Sequence, residues 1–324
     1  MHNPESGVSE ETDEANSAVR IVGGNVFVEL DPDHPGFQDK EYRDRRNEIA
    51  KIAIEWNEMS MADRRTSKIP EAPYSDDEHG VWAAIMERME PMHQKYACQQ
   101  YLKHAAQLGL PNDRIPQLQW VSERLQPLTG FRQEPVGGLV HPKTFHTALA
   151  NKVFLSTQYI RHSSHPFYTP EPDVVHELVG HTAMLAVPEW AELNTLFGEA
   201  DMRTQSEAAI TRLGTVFWFV MEFGICREND DIKAFGPGML SSFGEIEHAC
   251  SSGAACGRED ACVCDPRIEY RTPDFEEMET RPYDVTKYQP MLYLWGSFEE
   301  MFEKTSEFVK TWGTEADPRR ELHQ

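Results

Sequence analysis

The stretch Pro172-Asp173-Val174-Val175-His176-Glu177-Leu178-Val179-Gly180-His181 decides how the chain is read. Its two histidines stand five positions apart on an apolar run. Each α-helical residue advances about 100°, so side chains four apart lie only about 40° from one another, as in the zinc-protease pattern His-Glu-x-x-His. Five steps carry the second imidazole about 140° from the first. A straight helix cannot aim both at one ion, so the helix is expected to stop between them. Gly180 is the expected stop, because glycine readily takes the left-handed conformation that closes helices and would leave His181 on the exit turn.

A second stretch, Thr215-Val216-Phe217-Trp218-Phe219-Val220-Met221-Glu222-Phe223-Gly224-Ile225-Cys226, carries one ionisable carboxylate among large apolar residues. It reads as a helix buried nearly all round. A carboxylate there is costly unless it is paired or binds a metal. An arginine or lysine from elsewhere in the core is one partner; the two imidazoles upstream, sharing an ion with Glu222, are the other. Two histidines and one carboxylate are the ligand set of non-haem Fe(II) centres that keep positions open for oxygen and substrate. On an α-helix Thr215, Trp218 and Glu222 share a face, so Trp218 is expected to wall the metal pocket. A zinc-dependent hydrolase with Glu177 as base is the alternative from another class, and the extra residue between the histidines argues against it.

Around these stretches lie Pro116-Gln117-Leu118, Thr129-Gly130-Phe131-Arg132, Thr157-Gln158-Tyr159-Ile160-Arg161-His162, Tyr168-Thr169-Pro170-Glu171-Pro172-Asp173, Leu240-Ser241-Ser242-Phe243-Gly244-Glu245 and Tyr288-Gln289-Pro290, with Asp33-His34-Pro35-Gly36-Phe37 earlier. In this order and spacing the chain resembles the tetrahydropterin-dependent aromatic amino acid hydroxylases from about Glu29 to about Trp312. The resemblance implies the catalytic-domain fold of that family, a mainly α helical basket with a small β-sheet around a non-haem iron. It implies Fe(II) held by His176, His181 and Glu222, and tetrahydrobiopterin or a related tetrahydropterin as cosubstrate with O₂.

By the same likeness, Arg161 clamps the substrate carboxylate, a task suited to a guanidinium fork. Asp173 orients Arg161 or a ligating histidine from behind. Thr169 and Ser241 add hydrogen bonds to the amino acid head group, and Pro172 and Trp218 wall its ring. Phe145 is the platform on which the pterin stacks, a contact that contributes about 0.5 to 1.5 kcal/mol beyond burial. Val136, Gly138 and Leu139 read the pterin edge through their backbone, and Glu177 is a carboxylate near the pterin rather than a ligand.

Substrate choice rests on two positions. The tryptophan enzymes of the family usually carry Phe where this chain has Trp218. Val285 falls where the tyrosine enzymes tend to carry Asp and the phenylalanine enzymes an apolar residue. The expected reaction is L-phenylalanine to L-tyrosine, with tyrosine 3-hydroxylation or tryptophan 5-hydroxylation as alternatives within the family.

Composition bounds the rest. The 324 residues, 40% hydrophobic, suffice for a sizeable core. No repeat and no run of eighteen apolar residues is present, which excludes solenoid and helical membrane-spanning readings. Residues 1–20 are acidic and polar without the pattern of a signal peptide, so they are expected to be a disordered tail on a single catalytic domain, 21–324, in the cytoplasm. The formal charge of −23 opposes binding to nucleic acid or anionic membranes. Acidic excess with scarce lysine also suits a salty cytoplasm, for which stability should rise in molar salt. Animal members of the family add a regulatory domain and a tetramerisation helix, so a monomer is expected here.

Helices are expected over Asp39 to Glu58, as a pair flanking Pro91 between Asp77 and Leu108, and over Gln117–Leu125, Lys143–Asn151, Val174–Val179, Pro188–Phe197, Glu207–Ile225 and Phe298–Trp312. Few strands are expected, chiefly Val136–Val140 and Val153–Ser156, and Asp230–Glu245 is expected as a loop beside the site. Cys250, Cys256, Cys262 and Cys264 sit near His248 in a Ser/Gly/Ala-rich insertion. Their spacings fit no familiar zinc pattern, and they are expected as free thiols in a mobile loop.

Overall fold

The computed structural model describes residues 34–167, 169, 171–204, 206–251, 268–285 and 287–319, with the backbone of 19–22 and 25–28. Helices dominate, and they wrap one main core in which Trp82, Trp190, Trp295, Trp312, Phe131, Phe197 and Phe235 are buried to within 1%. Burying each such ring contributes about 1.5 to 3 kcal/mol, so a few of them outweigh any surface ion pair.

The first long helix, Lys40–Asn57, starts where Asp39 accepts a hydrogen bond from the Tyr42 amide. The next long one, Asp76–Tyr96, opens on a reciprocal cap between Ser75 and Glu78 and runs straight through Pro91. The expected break at Pro91 is therefore misplaced. Pro91 and Glu87 are both exposed, so the Glu87 carbonyl that loses its partner can turn to water. The chain breaks instead at Ala97, which bridges to Ala234 while the Cys98 amide donates to the Ala234 carbonyl; a new helix then runs over Gln99–Leu108. Helices Leu118–Thr129, Pro142–Ala150, Pro188–Arg203 and Phe298–Thr311 match their expected positions, two of them running further than expected.

There is more sheet than expected. Arg132–Pro135 pairs in parallel with Val153–Ser156, whereas the expected strand Val136–Val140 shrinks to Leu139–Val140 on the edge of an antiparallel hairpin, Val19–Val22 and Asn25–Val28. That hairpin takes up Val19 and Arg20, two positions placed in the tail; residues 1–18 lie outside the described residues. A four-stranded sheet, Asp231–Ala234, Ile225–Glu228, Met291–Trp295 and Glu269–Arg271 in that order, was not anticipated. Two corrections follow. The helix from Glu207 ends before Ile225, because Gly224 lies so close to Phe235 that any side chain there would overlap its ring. Asp230–Glu245 is not a loop: it holds a strand, the short helix Pro237–Leu240 and the start of helix Phe243–Ser251. Asn229 and Asp230, with φ of 50° and 69°, form the two-residue turn joining the first two of these strands.

Cys250 is not a thiol in a loop. It is 3% exposed at the end of helix Phe243–Ser251, and burial pushes its thiol up to about 12. Cys256, Cys262 and Cys264 lie outside the described residues. No helix among the described residues is long and apolar enough to cross a membrane.

Candidate metal centre

The helix does not stop between the histidines. His176–Thr182 is a π-helix that continues into the α-helical turn Ala183–Leu185, and Gly180 is not left-handed. In a π-helix each amide bonds the carbonyl five residues back. The Ala183 amide reaches the Leu178 carbonyl, and the Thr182 hydroxyl donates to the Glu177 carbonyl at 2.8 Å. That wider turn brings residues five apart into register, which is what His176 and His181 require. Gly180 serves a different purpose. A Cβ there would sit 2.8 Å from the Pro237 carbonyl oxygen, so only glycine lets the helix lie against the Pro237–Leu240 turn.

The second stretch follows the same device. Helix Glu207–Phe217 widens at Trp218–Glu222 into another π-helix, closed by the Phe223 amide on the Trp218 carbonyl at 3.0 Å. The widening shifts Glu222 out of the α-helical phase that placed it with Thr215 and Trp218. Its carboxylate meets both imidazoles: Oε1 lies 3.4 Å from His176 Nε2, and Oε2 lies 3.2 Å from His181 Nε2. The two Nε2 atoms are 3.0 Å apart. Donors about 2.1 Å from one ion lie about 3.0 Å apart at a right angle and about 3.4 Å apart at the tetrahedral angle, the span seen here. The three residues form the one His/Cys/Asp/Glu group among the described residues able to hold a metal ion.

The protonation state of His176 supports the same use. Burial lowers His176 to about 4, leaving it a neutral ligand. Its Nδ1 meets Ser241 Oγ at 2.9 Å; since that hydroxyl donates to the Pro237 carbonyl at 2.8 Å, it must accept from Nδ1–H, which turns the Nε2 lone pair toward Glu222. Burial works to raise the Glu222 carboxyl, but the His181 and His176 imidazoles hold it below its ordinary value. Among the described residues, the ion-pair partners of Glu222 are these imidazoles and no arginine or lysine. Histidines and a carboxylate brought together this way fit a divalent ion of the kind the sequence implied.

Asp173 contacts both of the groups considered for it, Arg161 and the backbone of His176. It takes Arg161 Nε at 2.8 Å and Nη2 at 2.7 Å, and also accepts from the His176 amide at 3.1 Å. Burial acts to raise the Asp173 carboxyl, but Arg161 holds it below its usual range. The pairing engages one edge of the guanidinium, with Nη1 on the other. Ser241 is brought to His176 rather than standing apart from the ion. Thr169 and Pro172 are half-buried on the approach to Asp173, while Tyr168 and Pro170 of the same motif lie outside the described residues.

Glu177 is buried and accepts from the Thr157 amide and hydroxyl at 3.3 and 3.0 Å; burial pushes its carboxyl up to about 7. Phe145 is partly exposed, perpendicular to Phe154 at 5.8 Å and to Phe217 at 6.0 Å. Phe154, which sequence reasoning missed, lies 4.8 Å from the His181 ring and so joins Phe145 to a donor. Val136 and Gly138 are buried, and Leu139 is 45% exposed.

Trp218 is half-buried, with Tyr283 stacked 4.3 Å away and Phe223 at 4.6 Å. Its indole nitrogen donates to Gln289, whose amide in turn donates to the Asp284 and Lys287 carbonyls. Tyr283 and Gln289 thus tie Trp218 to the 281–290 segment; the motif Tyr288-Gln289-Pro290 was the available signal. Val285, two residues past Tyr283, is 59% exposed.

Comparison with known proteins agrees with the family resemblance. Residues 10–317 match the model of the biopterin-dependent aromatic amino acid hydroxylases. Among curated relatives, a tyrosine 3-monooxygenase of Schistosoma mansoni is 38% identical over 90% of this chain and 58% of its own length. A phenylalanine-4-hydroxylase of Rattus norvegicus is 38% identical over 88% of this chain and 59% of its own length. The chain thus spans under two thirds of the length of these relatives. A solved structure of Chromobacterium violaceum phenylalanine hydroxylase, with bound iron(III) and oxidised 7,8-dihydrobiopterin, superposes with a TM-score of 0.64 at 25% identity, over 73% of this chain and 82% of that one. With a mainly helical fold, a matching family model over most of its length and a preassembled His-His-Glu triad, the chain belongs to the biopterin-dependent aromatic amino acid hydroxylase family.

Proposed function

We propose that the protein hydroxylates L-phenylalanine to L-tyrosine with O₂, using Fe(II) held by His176, His181 and Glu222 and a tetrahydropterin cosubstrate. The convergence of three donors from two π-helices supports this reading, because two imidazoles and one carboxylate are the ligand set of non-haem Fe(II) centres that keep positions open for oxygen and substrate. Bound iron and reduced pterin together supply the electrons for reducing O₂, chemistry that side chains lack.

The protein's own groups position and exclude. Arg161, braced by Asp173, offers its Nη1 edge to the substrate carboxylate, and Thr169 adds a hydrogen bond to the head group. Ser241 fixes the His176 tautomer. Trp218 and Pro172 bound the space for the substrate ring, while Phe145, with the backbone of Val136, Gly138 and Leu139, receives the pterin. Glu177, raised by burial and held by Thr157, suits a hydrogen bond to a pterin nitrogen.

Phenylalanine is favoured over tyrosine by the apolar Val285, since a phenol would gain no hydrogen-bonding partner from it. Tyrosine 3-hydroxylation is the second reading, supported by a tyrosine 3-monooxygenase relative at the same 38% identity as the phenylalanine enzyme. Iron-reconstituted protein supplied with tetrahydropterin and phenylalanine, tyrosine or tryptophan tests the choice. Tyrosine formation should be fastest, and faster dopa formation from tyrosine would overturn the assignment.

A further inference from the structure

Helix Pro142–Ala150 carries Phe145 but has only nine residues, too few to be stable alone. Its orientation is therefore set by what it packs against, chiefly helix Pro188–Arg203. Three features lock that contact. At Gly198 the backbones touch: a Cβ there would come 2.4 Å from the His146 carbonyl oxygen and 2.4 Å from the Ala150 nitrogen. His146, 3% exposed, places Nδ1 3.1 Å from Oδ1 of Asp201, which is wholly buried. Lys143 Nζ donates to the carbonyls of Asp201 and Thr204 at 3.0 and 2.7 Å and lies 3.8 Å from Asp201 Oδ2.

Positions 143, 146 and 150 share one helical face; Phe145 projects about 100° round from His146, its ring 5.8 Å from the His146 ring. Among the described residues, the other Asp201 oxygen, Oδ2, has no hydrogen-bond partner. A buried carboxylate so incompletely satisfied is costly, and an apolar pair of similar volume would often be at least as stable. What the polar pair supplies beyond packing is direction, since a hydrogen bond fixes rotation where apolar contact would let the helix roll.

We propose that His146, Asp201 and Lys143 form a latch of positioning residues that sets the roll of helix Pro142–Ala150 and thereby the face Phe145 presents to the pterin. The inference rests on Phe145 being the pterin platform. A roll of this helix would shift the Phe145 ring while leaving Arg161 and the three metal donors on their own elements, so it should weaken pterin binding selectively.

The test uses the full chain loaded with iron. A double variant, His146→Leu with Asp201→Ala, removes both buried partners together and leaves neither uncompensated. Its KM for tetrahydropterin should rise roughly two- to tenfold, the range that loss of a ring stack covers. Iron content and the KM for phenylalanine should stay within about twofold of the parent. His146→Asn, whose amide can still donate to Asp201, should restore much of the pterin KM. An unchanged pterin KM, or an equal rise in both KM values, would overturn the latch. Should the double variant not fold, Lys143→Met, altering a side chain at the helix surface, decides by the same KM comparison. Phe145→Leu separates the two failures: if it too leaves the pterin KM unmoved, the platform reading falls and the latch with it, whereas a rise there without one in the latch variants sinks the latch alone.

Discussion

The donor end of the site and its ring end are built differently. His176, His181 and Glu222 sit on two π-helices whose surroundings are buried: Asp173 bonds the His176 amide, Ser241 its imidazole, and Gly180 lets the Pro237 turn close over the helix. The ring end relies on Trp218, half-buried, leaning on Tyr283 at 43% exposure and on a segment where Val285 is 59% exposed. The contrast teaches that the three donors are held by buried contacts, whereas Trp218 rests on a segment with exposed residues. Ligand positions a fraction of an ångström out of place lose their ion, but a ring pocket tolerates rearrangement.

The comparison is broken most severely at the donors. Glu222→Ala removes one of three ligands and leaves two imidazoles around an incomplete site; iron content and turnover should both fall at least about a hundredfold, measured by metal analysis and product formation. Retained stoichiometric iron would show that the triad does not hold the metal.

Asp173→Asn comes next, because it leaves the Arg161 charge buried without its partner, a loss of about 3 to 5 kcal/mol. The parent's pH dependence has a definite sign. Asp173 is held below its unfolded value, so its contribution is present above that value and is lost as the pH falls through the folded one. The parent's Tm should therefore fall with acidification below about pH 4 more steeply than that of the variant. Parallel curves would mean that the pair does not govern acid stability.

Gly180→Ala probes the contact behind the histidines. A methyl 2.8 Å from the Pro237 carbonyl must displace backbone, costing about 1 to 3 kcal/mol and loosening iron. Thermal unfolding with and without iron measures it, and no change in either would indicate that the Pro237 turn yields freely.

At the ring end the effect should be smallest and should appear in selectivity. Val285→Asp is expected to leave iron and stability unchanged while shifting the ratio of kcat/KM for tyrosine over phenylalanine upward by about tenfold or less. An unchanged ratio would place the discrimination elsewhere, with Tyr283 the next residue to vary.

Much of the helical frame was legible. The start of helix Lys40–Asn57 followed from Asp39 and apolar periodicity, and the triad followed from residue type together with burial. The four-stranded sheet was missed for identifiable reasons. Ile225–Glu228 and Met291–Trp295 are short apolar runs whose periodicity does not separate strand from helix, and Asn229-Asp230 is a local turn signal between two strands of this sheet. Pro91 does not break its helix because that side faces water, which the sequence does not reveal.

Alone, the sequence determined which groups could meet an ion: two imidazoles on one apolar run, a carboxylate marooned on another, and the order of motifs that marks the family. Only the tertiary structure decided how they meet. The spacing of five looked incompatible with a continuous helix because α-helical geometry was assumed; hydrogen bonds shifted by one residue, stabilised by close packing at Gly180 and Phe223, turn the same spacing into alignment. Such a shift costs too little locally to be written in residue preferences. It is imposed by the surfaces on which each helix rests.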